Sequence, residues 1–265
     1  SVSDTYQKGV IPSTGMTRTG ARGAVDWKVN DQWKTGFSAN YSSVKIKSAP
    51  GANSGIVNVV YSAPAEYDLK GTPYHKPGDP TSQILFRATN FNNPYWWADN
   101  DEYSQHTNRV FGNAYAEFSP KLNWGKNYKI VFREQAGIDM YTSNNSEIAE
   151  VGSAKNTKGE VENIGTQNNI FNNLLTANFT AKWGANEEWD FGFVLNHQYR
   201  RKWDYDGTGL AFYGQPTIGN TSSMDAHSDY HIQERTVGVF GQMSLSWMDM
   251  LFLTVTGRND VVSTM

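Results

Sequence analysis

Along most of this chain, apolar and polar side chains alternate one by one. That period of two belongs to β-strands, whose successive side chains point to opposite faces. The clearest run sets Leu175, Ala177, Phe179, Ala181 and Trp183 against Thr176, Asn178, Thr180 and Lys182. The same pattern predicts eight strands, over about 21–29, 34–47, 109–118, 128–141, 175–183, 189–203, 234–247 and 250–265. In the last of these Leu251, Leu253 and Val255 share one face, and Thr254, Thr256, Arg258 and Asp260 share the other. Two positions break the pattern: Glu134 interrupts an apolar face and Phe252 a polar one. Helical periodicity is nearly absent.

The connections sort by length. Short turns follow the first, third, fifth and seventh strands, near 30–33, 119–127, 184–188 and 247–250. Long polar connections cover about 48–108, 142–169 and 204–231, and residues 1–19 read as a further irregular stretch. The longest connection holds six of the nine prolines, and a short strand is expected inside it at Gly55–Tyr61. In an up-and-down sheet alternate connections lie on one edge. All short turns therefore share one edge and all long loops the other, as in outer-membrane barrels. Trp33, Trp124, Trp183, Trp189 and Trp247 lie at or beside the short turns. Such rings suit a membrane interface; the plainer reading is that they anchor hairpin ends.

Composition supports a polar all-β protein. Hydrophobic residues are 38% and aromatics 14%, with 9 Trp, 14 Tyr and 13 Phe; mean hydropathy is -0.60. A membrane barrel combines polarity with rings in this way, and so does a soluble carbohydrate-binding or carbohydrate-cleaving β protein. Net charge of -3 gives no basic footprint for nucleic acid. With no Cys, disulfides and thiolate metal sites are excluded. No apolar run reaches the ~20 residues of a transmembrane helix, and the first residues carry no apolar signal segment.

Four motifs, in order along the chain, resemble SusC/RagA-type TonB-linked outer-membrane transporters of Bacteroidetes. They are QKGVIP at Gln7–Pro12 with Arg18 and Thr19, FNNPYWWADND at Phe91–Asp101 with Asn108 and Arg109, VFGQMSLSWMDM at Val239–Met250, and LFLTVTGRND followed by Ser263 and Thr264. The last departs from the family block, with Val261 and Val262 in place of Trp-Ser and Met265 in place of Leu. The resemblance implies an antiparallel up-and-down transmembrane barrel of about 22 strands, of which this chain supplies about eight. The plug, the TonB box and the carboxy-terminal strands are then expected elsewhere. It further implies import of an oligosaccharide or oligopeptide, a SusD-like surface lipoprotein, energy from the TonB complex through the plug, and contact with outer-membrane lipid. No cofactor and no catalysis are implied.

The candidate site residues follow from this frame. Tyr95, Trp96 and Trp97, with Trp203 and Tyr205, are candidate ligand contacts, because rings stack on sugar faces. Packing of the loop, or contact with the lid protein, is the competing reading. Arg133, Asp139, Arg258 and Asp260 are expected to face the lumen and the plug. Asp225, His227 and Asp229 form a weak candidate for a cation on the third long connection. Glu187, Glu188 and Asp249 read as solvated turn carboxylates rather than an acid–base pair.

Overall fold

A computed structural model describes residues 1–49, 55–86, 91–122, 127–183 and 187–264. Nine strands form one antiparallel sheet: β1 (Val2–Lys8), β2 (Gly15–Lys28), β3 (Trp33–Ser48), β6 (Glu102–Phe118), β7 (Tyr128–Ala149), β8 (Glu160–Trp183), β9 (Glu187–Phe212), β10 (Thr221–Trp247) and β11 (Leu251–Thr264). Their order in the sheet is their order in the chain. Between β3 and β6 lie helix α1 (Ile56–Tyr61), a small hairpin of β4 (His75–Lys76) and β5 (Asp79–Gln83), and helix α2 (Pro94–Asn100).

The eight expected strands are all present, and the expected class holds: all-β, antiparallel and up-and-down. The boundaries differ in a consistent way. Residues 1–19, expected to be irregular, form β1 and the start of β2, paired from Val2↔Ala21 to Lys8↔Gly15. The expected connections 142–169 and 204–231 are mostly strand as well. β7 and β8 pair out to Ala149↔Glu160, leaving 150–159 between them. β9 and β10 pair out to Phe212↔Thr221, leaving 213–220. The last part of the long connection 48–108, from Glu102, belongs to β6, and the β4–β5 hairpin lies earlier within it. Both faces of these added segments are mostly polar, as in Thr142, Asn144 and Ser146 against Ser143 and Asn145. Alternation marks a strand only when its two faces meet different surroundings, so these segments carried no signal.

The expected strand at Gly55–Tyr61 is helix α1. Ile56 and Val59 lie one turn apart and are buried. Ile56 packs with Trp97 and Ala98 of α2, with Ile11, Ala49 and Tyr103 around them. This packing overrides the strand preference of a Val- and Ile-rich segment. α2 starts cleanly: Pro94 occupies the first turn and the Asn93 side chain accepts from the Tyr95 N–H at 3.1 Å.

Candidate functional site

Register separates the two sheet faces. Directly paired residues point the same way. One such row reads Ile130, Phe179, Phe191, Met243 and Val255 across β7 to β11. The adjacent row, one residue along each strand, reads Lys129, Thr180, Asp190, Ser244 and Thr254 on the opposite face. A one-residue change thus exchanges a wholly apolar row for a wholly polar one.

The apolar face carries a band rather than a full coat. On β10 it runs from Trp247 to Val237, and on β3 from Trp33 to Tyr41. At ~3.4 Å per residue and a strand tilt near 40°, eleven residues rise about 28 Å, close to the ~25 Å apolar band of a membrane barrel. Trp33, Trp183, Trp189 and Trp247 all lie on this face at the short-turn edge, as expected; Trp124 falls outside the described residues. Trp33 packs on Phe118 at 4.6 Å between ring centroids, and Trp183 meets Trp189 edge-on at 6.3 Å. The rings are large and exposed, with Trp33 at 44% and Trp247 at 46%. Among the described residues no helix is long and apolar enough to cross a membrane.

The polar face is a hydrogen-bonded lattice. Arg109 grips Asp139 with two bonds, Nε–Oδ1 at 2.8 Å and Nη2–Oδ2 at 2.6 Å. The Arg133 guanidinium lies 4.0 Å from the Tyr115 ring centroid. Tyr115 in turn donates to Asp26 at 2.8 Å, and Glu117 reaches Lys34 at 3.3 Å. A shallow hollow of about 590 Å³ lies on this face, lined in part by Ser38, Asn40, Asn113, Gln135 and Asp139. Such a surface offers many donors and acceptors along its length and no single acid–base centre.

Large side chains also fill the gaps left by glycine. The Tyr115 ring lies over Gly36 and the Tyr205 ring over Gly165, each close enough to occupy the space a Cβ would need. An aromatic laid across a cross-strand glycine restores packing on a face that would otherwise be bare backbone.

Above the sheet, the segment between β3 and β6 is stapled to the 150–154 connection. The Asp101 carboxylate accepts from the Glu150 N–H at 2.8 Å, from Ser153 Oγ at 3.0 Å and from Asn92 Nδ2 at 2.9 Å. Asn92 Oδ1 accepts from the Ala154 N–H at 2.6 Å. Gln83 Nε2 donates both to Asn92 Oδ1 and to the Gly152 carbonyl, each at 2.8 Å. Burial raises the Asp101 carboxyl to about 6, against the Glu150 N–H and Ser153, which favour its charged form. Burial also pushes the neighbouring Tyr103 phenol up to about 12.

No family model and no curated protein matches this chain. Solved structures do. The RagAB peptide importer in its open-open state superposes with a TM-score of 0.77 at 15% identity, over 99% of this chain and 29% of that one. In its closed-closed state the values are 0.76 and 14%, again over 99% of this chain and 29% of that one. A more distant likeness is BauA, the ferric preacinetobactin receptor from Acinetobacter baumannii, with a TM-score of 0.51 at 11% identity over 99% of this chain and 36% of that one. Over nearly its whole length the chain has the fold of a barrel segment of these proteins, and it spans less than a third of the RagAB chain it matches.

In that barrel frame the expected site residues divide. Arg133, Asp139, Arg258 and Asp260 all sit on the polar face. Arg258 Nε donates to Asp260 Oδ2 at 2.7 Å. Trp96 and Trp97 correct the expectation of ligand contact: they are 0% and 4% exposed. Trp96 donates to the Pro80 carbonyl at 2.7 Å, so it is committed to the loop core. Tyr95 is half-buried beside Tyr74, at 6.2 Å between centroids. Tyr205 corrects a second expectation, because it lies within β9 rather than in the long connection 204–231; Trp203, expected at the end of the sixth strand, lies within β9 as well. They share the face of the apolar band, above it. There Trp203 stacks on His231 at 5.5 Å and donates to Asp229 at 2.5 Å, and Tyr205 donates to Asn144 at 2.7 Å.

Asp225, His227 and Asp229 likewise lie in β10 rather than a loop. Asp229 is engaged by Trp203 and by His231 at 3.2 Å. Among the described residues no group of three His, Asp or Glu is placed to hold a metal ion. The residues that sequence reasoning missed are the buried staple, Asn92, Asp101 and Ser153. Asn92 and Asp101 stand at the two ends of the FNNPYWWADND motif, and no sequence signal linked them to Ser153 in a later connection.

Proposed function

We propose that this chain is part of the wall of an outer-membrane TonB-dependent importer of the SusC/RagA type. The observation that carries the reading is the row-by-row contrast between the two sheet faces, bounded by Trp at one edge. A soluble sheet that packs another layer buries its apolar face. Here Phe37, Phe191, Leu253 and Val255 stay exposed at 58%, 52%, 48% and 54%. Lipid is the solvent in which such a face is stable. The likeness to the RagAB barrel supports the SusC/RagA type, together with the four sequence motifs.

The polar face then lines the lumen, where Arg109–Asp139, Arg133 and Arg258–Asp260 meet the plug or the passing solute. The cargo is a nutrient too large for simple pores, an oligopeptide or oligosaccharide. It is captured with a SusD-like lipoprotein on the side of the long segment between β3 and β6, and moved with energy from the TonB complex. Chemistry on the cargo is not part of this role. Tyr95, at the surface of that segment, is the surviving candidate for contact with cargo or lid.

The test has two parts. Protein extracted from outer membranes should need detergent and should change mobility in SDS on heating. A strain lacking it should fail to grow on one class of polymer, peptide or glycan, and a surface lipoprotein should co-purify with it. A monodisperse protein without detergent, with no heat-dependent mobility, would overturn the reading.

A further inference from the structure

The cations of the sheet are distributed with a strong asymmetry. Register places Lys8, Lys45, Lys47, Arg201 and Arg235 on the face of the apolar band. All five lie beyond its long-connection border. Among the described strand residues, no Lys or Arg points out from that face within the band or at its Trp-lined edge. The other strand cations, such as Arg109, Arg133 and Lys182, point to the polar face.

Three of the five converge. The row Tyr6, Thr17, Lys45, His106 and Asn144 runs across β1, β2, β3, β6 and β7. The next row outward carries Lys8, Gly15, Lys47, Ser104 and Ser146. With the tip of the β1–β2 hairpin these two rows form an open groove of about 800 Å³. Lys47 is paired with Glu102 at 3.1 Å. Lys8 and Lys45 make no ion pair among the described residues and are exposed. Three lysines against Glu102 leave a formal charge of +2 in a chain whose net charge is -3. Hydroxyls and amides of Tyr6, Ser104, Asn144 and Ser146 surround them. Lys45 stands four residues above Tyr41, the last ring of the band, or ~13 Å along the strand. Between the groove and the band lies one polar row, Asp4, Thr19, Ser43, Asn108 and Thr142, in which Thr19 donates to Asp4 at 2.8 Å; the next row, Val2, Ala21, Tyr41, Val110 and Met140, opens the apolar band.

We propose that this groove binds the phosphate-bearing headgroup of an outer-leaflet glycolipid, whose acyl chains descend over Tyr41, Val110 and Met140. The inference rests on the membrane reading above. Charge and depth together favour a lipid over a free anion: the lysines stand where a headgroup phosphate lies when its chains cover the band. Arg201 and Arg235, beside Tyr199 on β9 and β10, continue the same cationic border around the wall. Each lysine near an anionic surface strengthens binding by about fivefold.

The experiment uses the detergent-purified protein, native mass spectrometry and three added probes: lipopolysaccharide, the same lipid with its phosphates removed, and inorganic phosphate. The intact lipid should bind, and the dephosphorylated lipid much more weakly. The double variant Lys8→Gln/Lys45→Gln should bind intact lipid about 30-fold more weakly. Lys121→Gln, at the short-turn edge, should bind as the unmodified protein does. Equal binding by the double variant, or equal binding of dephosphorylated lipid, overturns the proposal. Competition by millimolar phosphate as effective as by lipid assigns the groove to free anions and overturns it too. Heat-dependent mobility in SDS is scored on the same samples. If it is retained while the lysine variants bind normally, the lipid site alone fails; if it is absent from the unmodified protein, the membrane reading fails and the site with it.

Discussion

Met243→Arg and Gln242→Arg form a paired test of the two-faced wall. The residues are adjacent in β10 and point to opposite faces. Met243 lies between Phe191 and Val255, and Gln242 between Gly192 and Thr256. Met243 is four residues from Trp247 at the band edge, about 10 Å in depth at a tilt near 40°. That puts it close to the middle of an apolar band ~25 Å tall. An arginine facing lipid at that depth costs ~2–4 kcal/mol, whereas a charge facing a wet lumen stays within ~0.5 kcal/mol. The difference of ~3 kcal/mol is more than a hundredfold in the folding equilibrium. The assay is reversible denaturant unfolding of the protein in lipid vesicles, read by Trp fluorescence. Met243→Arg should lower the stability by ~3 kcal/mol with Gln242→Arg near neutral. Equal losses, or a larger loss at Gln242, would show that the faces are assigned the wrong way round.

Three further outcomes follow from the geometry. The Asp101 carboxyl is raised from 3.8 to about 6 in the folded loop, so the folded state holds the extra proton between those values. The staple should therefore be most stable below pH ~4 and weaken as pH rises through ~6, by at most about 3 kcal/mol; hydrogen-exchange protection of the Glu150 and Ser153 amides at pH 4.5 and 7.5 measures this, and protection that grows toward pH 7.5 contradicts it. Trp96→Ala removes a fully buried ring and orphans the Pro80 carbonyl, which should cost ~3–5 kcal/mol locally: proteolysis should then open the segment between β3 and β6 while heat-dependent mobility in SDS stays intact, and loss of both at once refutes the separation. Gly165→Ala sets a methyl group against the Tyr205 ring and should lower stability by ~1–3 kcal/mol, an effect that the added change Tyr205→Ala relieves in a thermal melt.

What the sequence made legible is the part of each strand that separates an apolar face from a polar one. Leu175 to Trp183 and Trp189 to Leu195 alternate because one face of the sheet is apolar and the other polar. Above the band that contrast disappears, so Thr142 to Ala149 and Asp204 to Phe212 read as loops and fold as strands. The rings in FNNPYWWADND were legible as important and ambiguous in role, since exposure decides between stacking on a ligand and filling a core. Only packing against Ile56 and Pro80 resolves that for Trp96 and Trp97. The lysine groove was not legible at all. Lys8, Lys45 and Lys47 sit on separate strands, and their convergence depends on the register of β1, β2 and β3.

The overshoot of β9 and β10 gives the wall a mechanical character. From His197 to Phe212 the β9–β10 hairpin runs on beyond the band for ~50 Å of strand, with a register shift between Met224 and Ala226. A ribbon of that length acts as a lever with its fulcrum at the border of the apolar band. A rotation of one degree at the fulcrum moves the tip by ~1 Å. The rim therefore magnifies small changes in strand tilt, and a load seated on the rim exerts torque on the band beneath it.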